Sequence, residues 1–314
     1  MMNILVTGGA GYIGSAAVKA LVEKGYNVIV VDNLSKGSFR LVDKKAVFYK
    51  LDLVDKKALE KVFSENKINS VMHFAANKSV EESMENAPKY SDNITGTINL
   101  LDVMVKFNVK KIIYSSSAAV YGIPKEPIVD ENSATNPINY YGYTKLASEN
   151  IIKWYSKIHN LGYIILRYFN VAGDAGLHYI DPNARNIFPI IMEVLSGRRD
   201  KLVIFGNDYS TADGTCVRDY IDINDLVRAH ILALDVTTNE IINLGTSKGV
   251  SVKQLVDAVI EVTGKKFKFE YGKRRKGDPE KLVASNEKAR KVLGWQTSRN
   301  IKDMIKSMLE AYSL

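Results

Sequence analysis

One cysteine, Cys216, stands among 314 residues. No intrachain disulfide can form, which removes the disulfide-dense class of small secreted domains and leaves Cys216 as a small packing residue. The four histidines are dispersed without metal-ligand spacing, so no metal site is expected. No uninterrupted apolar run reaches 18 residues, and neither low-complexity tracts nor internal repeats occur. A membrane span is therefore not expected. The opening stretch MMNILVTGGAGYIG has no basic leader and no small-residue cleavage site. Its apolar run Ile4-Leu5-Val6 enters glycines directly, as a buried strand would, and it reads as mature structure of a cytoplasmic protein. Acidic excess is missing too. The formal charge is +8, from 43 basic and 35 acidic residues. The basic residues are scattered, and the densest block, Lys273-Arg274-Arg275-Lys276, is short and holds no aromatic to stack a base. No nucleic-acid partner is expected; a positive surface suits a small anionic substrate instead.

What is present is an alternation. Asn3–Thr7, Asn27–Val31, Ser70–Phe74, Lys110–Ser115 and Tyr163–Arg167 are short, nearly continuous apolar runs separated by long helical stretches. Such strands predict a parallel sheet covered on both faces, an α/β fold of the Rossmann-type, doubly wound class. Met84–Phe107 and Tyr141–His159 are expected to be the long helices of this half. Beyond residue 169 the alternation breaks up into a smaller α/β portion. The spacing places one helix over Asn186–Gly197, a strand over Leu202–Phe205, a polar loop over Tyr209–Thr215, and a helix capped by Asp222 or Asn224. The expected domains are 1–168 for the sheet, with 219–245 returning to it, and 169–314 for the remainder.

The stretch TGGAGYIG (Thr7–Gly14) follows a strand and opens a helix. Gly8, Gly11 and Gly14 have the three roles of a dinucleotide fingerprint: a tight turn, close approach of backbone to a pyrophosphate, and close packing of helix on sheet. The helix N-terminus adds backbone donors and a partial positive charge. Asp32 lies 18 residues beyond Gly14, at the end of the second strand. A carboxylate there accepts from ribose hydroxyls and repels a 2′-phosphate. The bound dinucleotide is therefore expected to be NAD rather than NADP.

NYYGYTK (Asn139–Lys145) holds three phenols and one ammonium. If it opens a helix, only Tyr141 shares a face with Lys145, four residues on.

With these pieces the chain resembles the extended short-chain dehydrogenase/reductase family, in its branch of UDP-hexose 4-epimerases. The stretches that carry the likeness are TGGAGYIG, VDNLSKG (31–37), LDL (51–53), HFAANKSV (73–80), SSSAAVYG (115–122), YYGYTK, LRYFNVAG (166–173), GNDYSTADGTCVRDYI (206–221) and RRKGDP (274–279). They span essentially the whole chain, and the last two are far more specific than the glycines. The resemblance implies that NAD is contacted by Gly8, Gly11, Tyr12, Ile13 and Gly14, by Asp32, Asn33, Leu34, Ser35, Lys36 and Gly37, and by Asp52 and Leu53. Phe74, Ala75, Ala76, Asn77, Lys78, Asn93, Ser115, Tyr141, Lys145 and Phe169 complete that set. It implies Ser117, Tyr141 and Lys145 as the catalytic residues. Ser117, Tyr141, Asn170, Asn186, Val203, Phe205, Arg218, Arg275, Asp278 and Leu282 would face the UDP-sugar, with Phe205 against uracil and the arginines on the pyrophosphate.

The implied reaction is NAD-dependent epimerisation at C4 of a UDP-hexose, UDP-galactose or UDP-glucose, through a transient 4-ketone. Leu282 takes the place of a bulky tyrosine found in some relatives, which extends the expected substrates to the N-acetyl forms. A phenol near pKa 10 is a poor base at neutral pH. A cation about 4 Å away favours phenolate by about 4 kcal/mol at an effective dielectric near 20, enough to bring the pKa to about 7. Lys145 and an oxidised nicotinamide are expected to do this for Tyr141. Dehydratases and decarboxylases of the same family carry an acid where this chain has Ala118-Ala119. A non-catalytic dinucleotide sensor would not need to keep both Tyr141 and Lys145. The family also implies a homodimer joined through the two long helices.

Overall fold

The computed structural model describes residues 2–182, 184–275 and 277–314. Lys276, the last member of the basic block, lies outside them. The strands of the first half are β1 (Asn3–Thr7), β2 (Asn27–Asp32), β3 (Val47–Lys50), β4 (Ser70–His73), β5 (Lys111–Ser117), β6 (Ile128–Val129) and β7 (Gly162–Tyr168). They continue as β8 (Asn170–Ala172), β9 (Leu202–Phe205), β10 (Val217–Asp222), β11 (Glu240–Leu244), β12 (Gly249–Ser251), β13 (Phe269–Gly272) and β14 (Lys281–Ala284). The helices are α1 (Tyr12–Glu23), α2 (Lys56–Glu65), α3 (Val80–Glu85), α4 (Ala87–Lys106) and α5 (Tyr140–His159). After them come α6 (Ile187–Leu195), α7 (Ile223–Leu232), α8 (Val252–Thr263), α9 (Glu287–Leu293) and α10 (Ile301–Tyr312). The chain divides into two compact units. The first holds Met1–Gly122, Thr135–Arg167 and Val227–Ile242; the second holds Ile123–Ala134, Tyr168–Leu226 and Asn243–Leu314.

In the first unit the strands lie in the order β11-β7-β5-β4-β1-β2-β3. The pairings β3–β2–β1–β4–β5 are all parallel. The apolar runs are buried because helices cover both faces of such a sheet: Ile4, Leu5, Val6, Ile112 and Ile113 have no exposed surface. The chain steps from β1 outward to β2 and β3, then returns to β4 on the other side of β1. This reversal opens a crevice at the carboxyl ends of β1 and β4, where ligands of open α/β sheets bind. The glycine-rich turn sits there.

The long helix expected over Met84–Phe107 is two helices. Asn86 ends α3 by donating its backbone N–H to Glu82, then caps α4 through its side chain, which accepts from the N–H of Lys89; Pro88 stands in the first turn. β5 runs two residues beyond its expected end, to Ser117. In the second unit β10 pairs with β8 and β14 in parallel and with β12 antiparallel, and β14 pairs with β6. The pair β9–β13 stands separately. Of the two caps expected for α7, Asp222 takes the position before the helix and accepts from the N–H of Asn224 at 2.8 Å. Among the described residues no helix is long and apolar enough to cross a membrane.

Candidate active site

The glycine turn closes on itself. Gly8 donates to Val31 and Gly11 to Gly8, at 2.8 and 3.1 Å. Gly8 has φ +72°, and a Cβ there would lie 2.6 Å from the backbone nitrogen of Ala75. Both the conformation and the contact demand glycine. Gly11 is the cap residue of α1, and no side chain caps it. A Cβ at Gly11 would meet only the oxygen of Gly8, at 3.4 Å. This is an open backbone cradle at a helix N-terminus, with Tyr12 and Ile13 half-buried on the first turn. Gly14 instead packs the helix against the turn, its Cβ position 2.1 Å from Gly8 O. The residues fit a dinucleotide.

Asp32 ends β2, buried, and accepts from the N–H groups of Ala10 and Leu34 at 3.0 and 2.8 Å. It thereby ties the loop 33–38 to the glycine turn. Leu34 takes a left-handed φ of +60°. Asn33 donates to Asp52 at 2.7 Å and accepts from Ser35 N–H at 2.9 Å, while Gly37 lies against Ala10 so closely that a Cβ would sit 2.8 Å from its carbonyl carbon. Lys36 stands in the same loop. Leu53 is buried against Gly96.

The loop after β4 carries Phe74, Ala75, Ala76, Asn77 and Lys78. The Phe74 ring lies against His230, centroids 4.8 Å apart and tilted by 31°, and Lys78 is exposed. Asn93, expected to face the cofactor, has its amide engaged within the protein. Its oxygen accepts from Asn77 N–H at 2.7 Å, and its nitrogen donates to Asn77 O and Thr144 Oγ1 at 3.0 and 3.1 Å. The side chain braces the loop to α4 and α5.

The three phenols separate cleanly. Tyr140 shares a hydrogen bond with Ser91 at 2.7 Å and stacks on Tyr143, which is half exposed. Tyr141 is buried, and the Ser117 side chain is the group near its hydroxyl that favours the phenolate. Ser117 ends β5 and also accepts from Ala119 N–H at 3.2 Å. Lys145, one turn along α5, donates to Ser115 O at 2.7 Å and lies 6.0 Å from the centre of the Tyr141 ring. Asn139 caps this helix, accepting from Gly142 N–H at 2.8 Å, which fixes the register of the pair. Burial pushes the Tyr141 phenol up, with the Ser117 side chain opposing. Burial also brings Lys145 down to about 7, with Glu149 opposing. Burial therefore disfavours both charges in the protein alone, whereas the expected lowering of the Tyr141 pKa needs Lys145 and an oxidised nicotinamide together.

Two features of this unit were not anticipated. Ser115 bonds the buried His230 at 2.8 Å, and Glu149 pairs with Arg167 at 2.6 Å without solvent exposure. Glu149 was reachable from spacing, since it lies four residues beyond Lys145; its partner, 18 residues further on, was not.

The remaining predicted residues lie in the second unit. Phe169 is buried and Asn170 donates to Asp219 O at 3.3 Å. Asn186 precedes α6, and its side chain makes no cap hydrogen bond. Val203 and Phe205 stand on β9; the Arg275 guanidinium lies 4.0 Å from the Phe205 ring centre. Arg218 pairs with Asp278 through its buried Nη2, 3.3 Å from the carboxylate, a contact that is an ion pair and not a hydrogen bond. Leu282 is the register partner of Arg218 on the adjacent strand. Arg274 covers the Tyr209 ring at 4.1 Å in the same way, a second arginine–aromatic stack that the sequence reading passed over.

A glycine cradle at the β1–β4 crevice, an acid closing β2 and a tyrosine–lysine pair on the helix after β5 define a nucleotide-cofactor enzyme scaffold of the short-chain dehydrogenase type. The family model for the NAD dependent epimerase/dehydratase family matches residues 4–245. A UDP-glucose 4-epimerase of Streptococcus mutans is 47% identical over 305 residues, covering 94% of this chain and 92% of that protein. A crystal structure of a UDP-glucose 4-epimerase aligns with a TM-score of 0.95 at 45% identity, over 99% of this chain and 97% of that one. The UDP-glucose 4-epimerase from Brucella ovis, solved in complex with NAD, aligns with a TM-score of 0.94 at 37% identity, over 100% and 99%. The chain belongs to the NAD dependent epimerase/dehydratase family and, within it, to the UDP-glucose 4-epimerase family.

Proposed function

We propose that the chain catalyses NAD-dependent epimerisation at C4 of a UDP-hexose, interconverting UDP-galactose and UDP-glucose. The observation that carries this reading is the buried Tyr141 with Lys145 Nζ one turn along α5, 6.0 Å from its ring centre and tied to Ser115 O at 2.7 Å, in a chain of this family. The chemistry supplied by bound NAD is reversible hydride acceptance at C4, with the sugar passing through a transient 4-ketone. Tyr141 takes the proton of the 4-hydroxyl and later returns it, so the net proton balance is zero. Ser117 steadies the oxygen between these transfers, and Lys145 supplies the cation that makes a buried phenolate tolerable.

Arg218 supports the nucleotide assignment. Its buried Nη2 makes an ion pair with Asp278 at 3.3 Å but no hydrogen bond, and a pyrophosphate oxygen would supply one. Leu282 shares a sheet face with Arg218 because the two are register partners. A leucine there leaves more room than an aromatic, which supports acceptance of N-acetylated sugars as well. A second copy of the chain is the proposed partner, docking on α5, where Tyr143, Trp154 and Ile158 are exposed on one stripe. The proposed location is the cytoplasm.

Purified protein given UDP-galactose and no added NAD should form UDP-glucose. Tyr141→Phe should keep the cofactor and lose most turnover. Absence of product from wild-type holoenzyme would end the reading; absence of turnover with UDP-GalNAc alone would end only its N-acetyl extension.

A further inference from the structure

Glu149 and Arg167 form a fully buried ion pair that the proposed reaction does not use. The arginine grips the carboxylate with two prongs: Nε donates to Oε1 at 2.9 Å and Nη2 to Oε2 at 2.6 Å. Ser116 donates to the same Oε1 at 2.5 Å. The third prong, Nη1, donates to the Tyr121 hydroxyl at 3.1 Å, and the guanidinium lies 5.0 Å from the centre of that ring. Glu149 belongs to α5, one turn beyond Lys145 and two beyond Tyr141. Ser116 stands between Ser115, which receives the Lys145 ammonium, and Ser117, which meets the Tyr141 hydroxyl. Arg167 belongs to β7 and Tyr121 to the turn 118–121 that leaves β5.

Burying two opposite charges is costly, and on stability grounds alone an apolar pair would serve as well. The position of these charges gives them a use. We propose that Glu149 and Arg167 are positioning residues for the Tyr141–Lys145 pair: they clamp α5 onto β5 and β7, and they place matched opposite charges one helical turn behind the ammonium. The clamp holds the register of Tyr141 against Ser117. Glu149 favours the Lys145 ammonium, and Arg167, bonded to its far side, offsets that negative charge toward the more distant phenol. This inference rests on the reading of Tyr141 and Lys145 given above.

The other titratable groups around the pair are accounted for. On β4, His73 is held neutral by burial, its pKa lowered to about 3. On β5, Tyr114 presents its ring to Lys145 Nζ at 4.9 Å. On α7, His230 meets Ser115. Lys153, on α5, and Tyr163, on β7, both feel Glu149. None of these carries a buried negative charge beside Lys145, so Glu149 is the acid whose removal the pair should register.

The test titrates the Tyr141 phenol in holoenzyme by tyrosinate absorbance, with Tyr141→Phe in the same background as the blank, and measures the pH profile of UDP-galactose turnover alongside. Glu149→Gln leaves Arg167 unbalanced, which favours phenolate; the midpoint and the acid limb of kcat/KM should move down by about one pH unit. Arg167→Gln leaves Glu149 unbalanced and should move both upward. The double variant Glu149→Gln/Arg167→Gln should return them to wild type. Arg167→Lys keeps the charge but not the fork, so its midpoint should stay while kcat falls at unchanged KM. A purely structural pair would give no opposed shifts. Movement of both single variants in the same direction, or no movement in either, overturns the electrostatic role. Wild-type kcat in Arg167→Lys overturns the clamp. The phenol titration reports whether or not the wild type turns over UDP-galactose, so failure of the proposed reaction and failure of this inference remain separate results.

Discussion

Replacing Asn93 by alanine tests whether this residue serves the cofactor directly or holds the loop that does. The side chain makes three hydrogen bonds, at 2.7, 3.0 and 3.1 Å, two to the backbone of Asn77 and one to Thr144. It is buried, so water does not replace them fully. At about 1 kcal/mol net each, with an added penalty for the polar groups of Asn77 left unmatched, the loss should be about 3–4 kcal/mol. For a cooperative unit of this size that lowers Tm by roughly 6–12 °C. Asn93→Asp should be no better: its second oxygen would face the Asn77 carbonyl, replacing a donor with an acceptor. Thr144 already directs its own hydroxyl proton to Tyr141 O at 2.8 Å, so it cannot readily compensate. The assay is thermal unfolding of holoenzyme, with bound NAD measured after gel filtration in the same samples. An Asn93→Ala protein that loses NAD while keeping wild-type Tm would refute the brace and make Asn93 a direct ligand.

Gly8→Ala should abolish cofactor retention, because it meets both a left-handed φ and a backbone nitrogen 2.6 Å away; bound NAD in the purified variant measures this. His73, neutral in the fold with its pKa lowered to about 3, binds protons in the unfolded chain from pH 6.5 downward. Stability should therefore fall as pH drops below about 6.5, by about 2 kcal/mol between pH 7 and 5 from this group alone; a His73→Gln variant should lose that part of the slope in urea titrations. Trp154→Glu with Ile158→Glu should shift the protein from dimer to monomer in light scattering, with the fold intact by circular dichroism, since both side chains are already more than half exposed.

The sheet and the cradle were legible because each rests on local signals. Buried strands such as Ile4–Val6 are apolar without a break, and Gly8, Gly11 and Gly14 are spaced by what a turn and a helix start require. The Tyr141–Lys145 pairing follows from helical periodicity. Other features depend on partners far along the chain. β6 has two residues, too short for a periodic signal, and exists because β14 pairs with it. Ser116 and Ser117 lack the β-branched character of a strand; Ser116 is held by the Glu149 carboxylate, and Ser117 accepts from Ala119 N–H where the strand ends. The break at Asn86 was readable from Asn-Ala-Pro, a cap followed by a proline in the first turn; apolar residues on both sides masked it. The roles of Asn93 and Phe205 differ in kind: a resemblance carries a residue type to a position, but not whether its polar atoms or ring face are already engaged.

The electrostatics of Tyr141 and Lys145 follow from that distinction. Each group is buried, and burial alone opposes each charge: the phenol rises and the ammonium falls to about 7. A phenolate next to a neutral amine, or an ammonium next to a phenol, leaves one uncompensated charge in a region of low dielectric. The form in which both are charged has zero net charge and the shortest-range field. Phenolate is thus favoured when Lys145 keeps its proton, and Lys145 keeps it better when the phenolate forms. Ser117 favours the anion and Ser115 O accepts from the cation, so in the proposed mechanism the two β5 residues that bracket Ser116 stand at the two ends of one coupled proton equilibrium. On the proposed reading the base is strong because it is dry, and the hydrogen bonds of Asn93, Thr144, Glu149 and Arg167 tie the helix, the loop and the strand ends together around it.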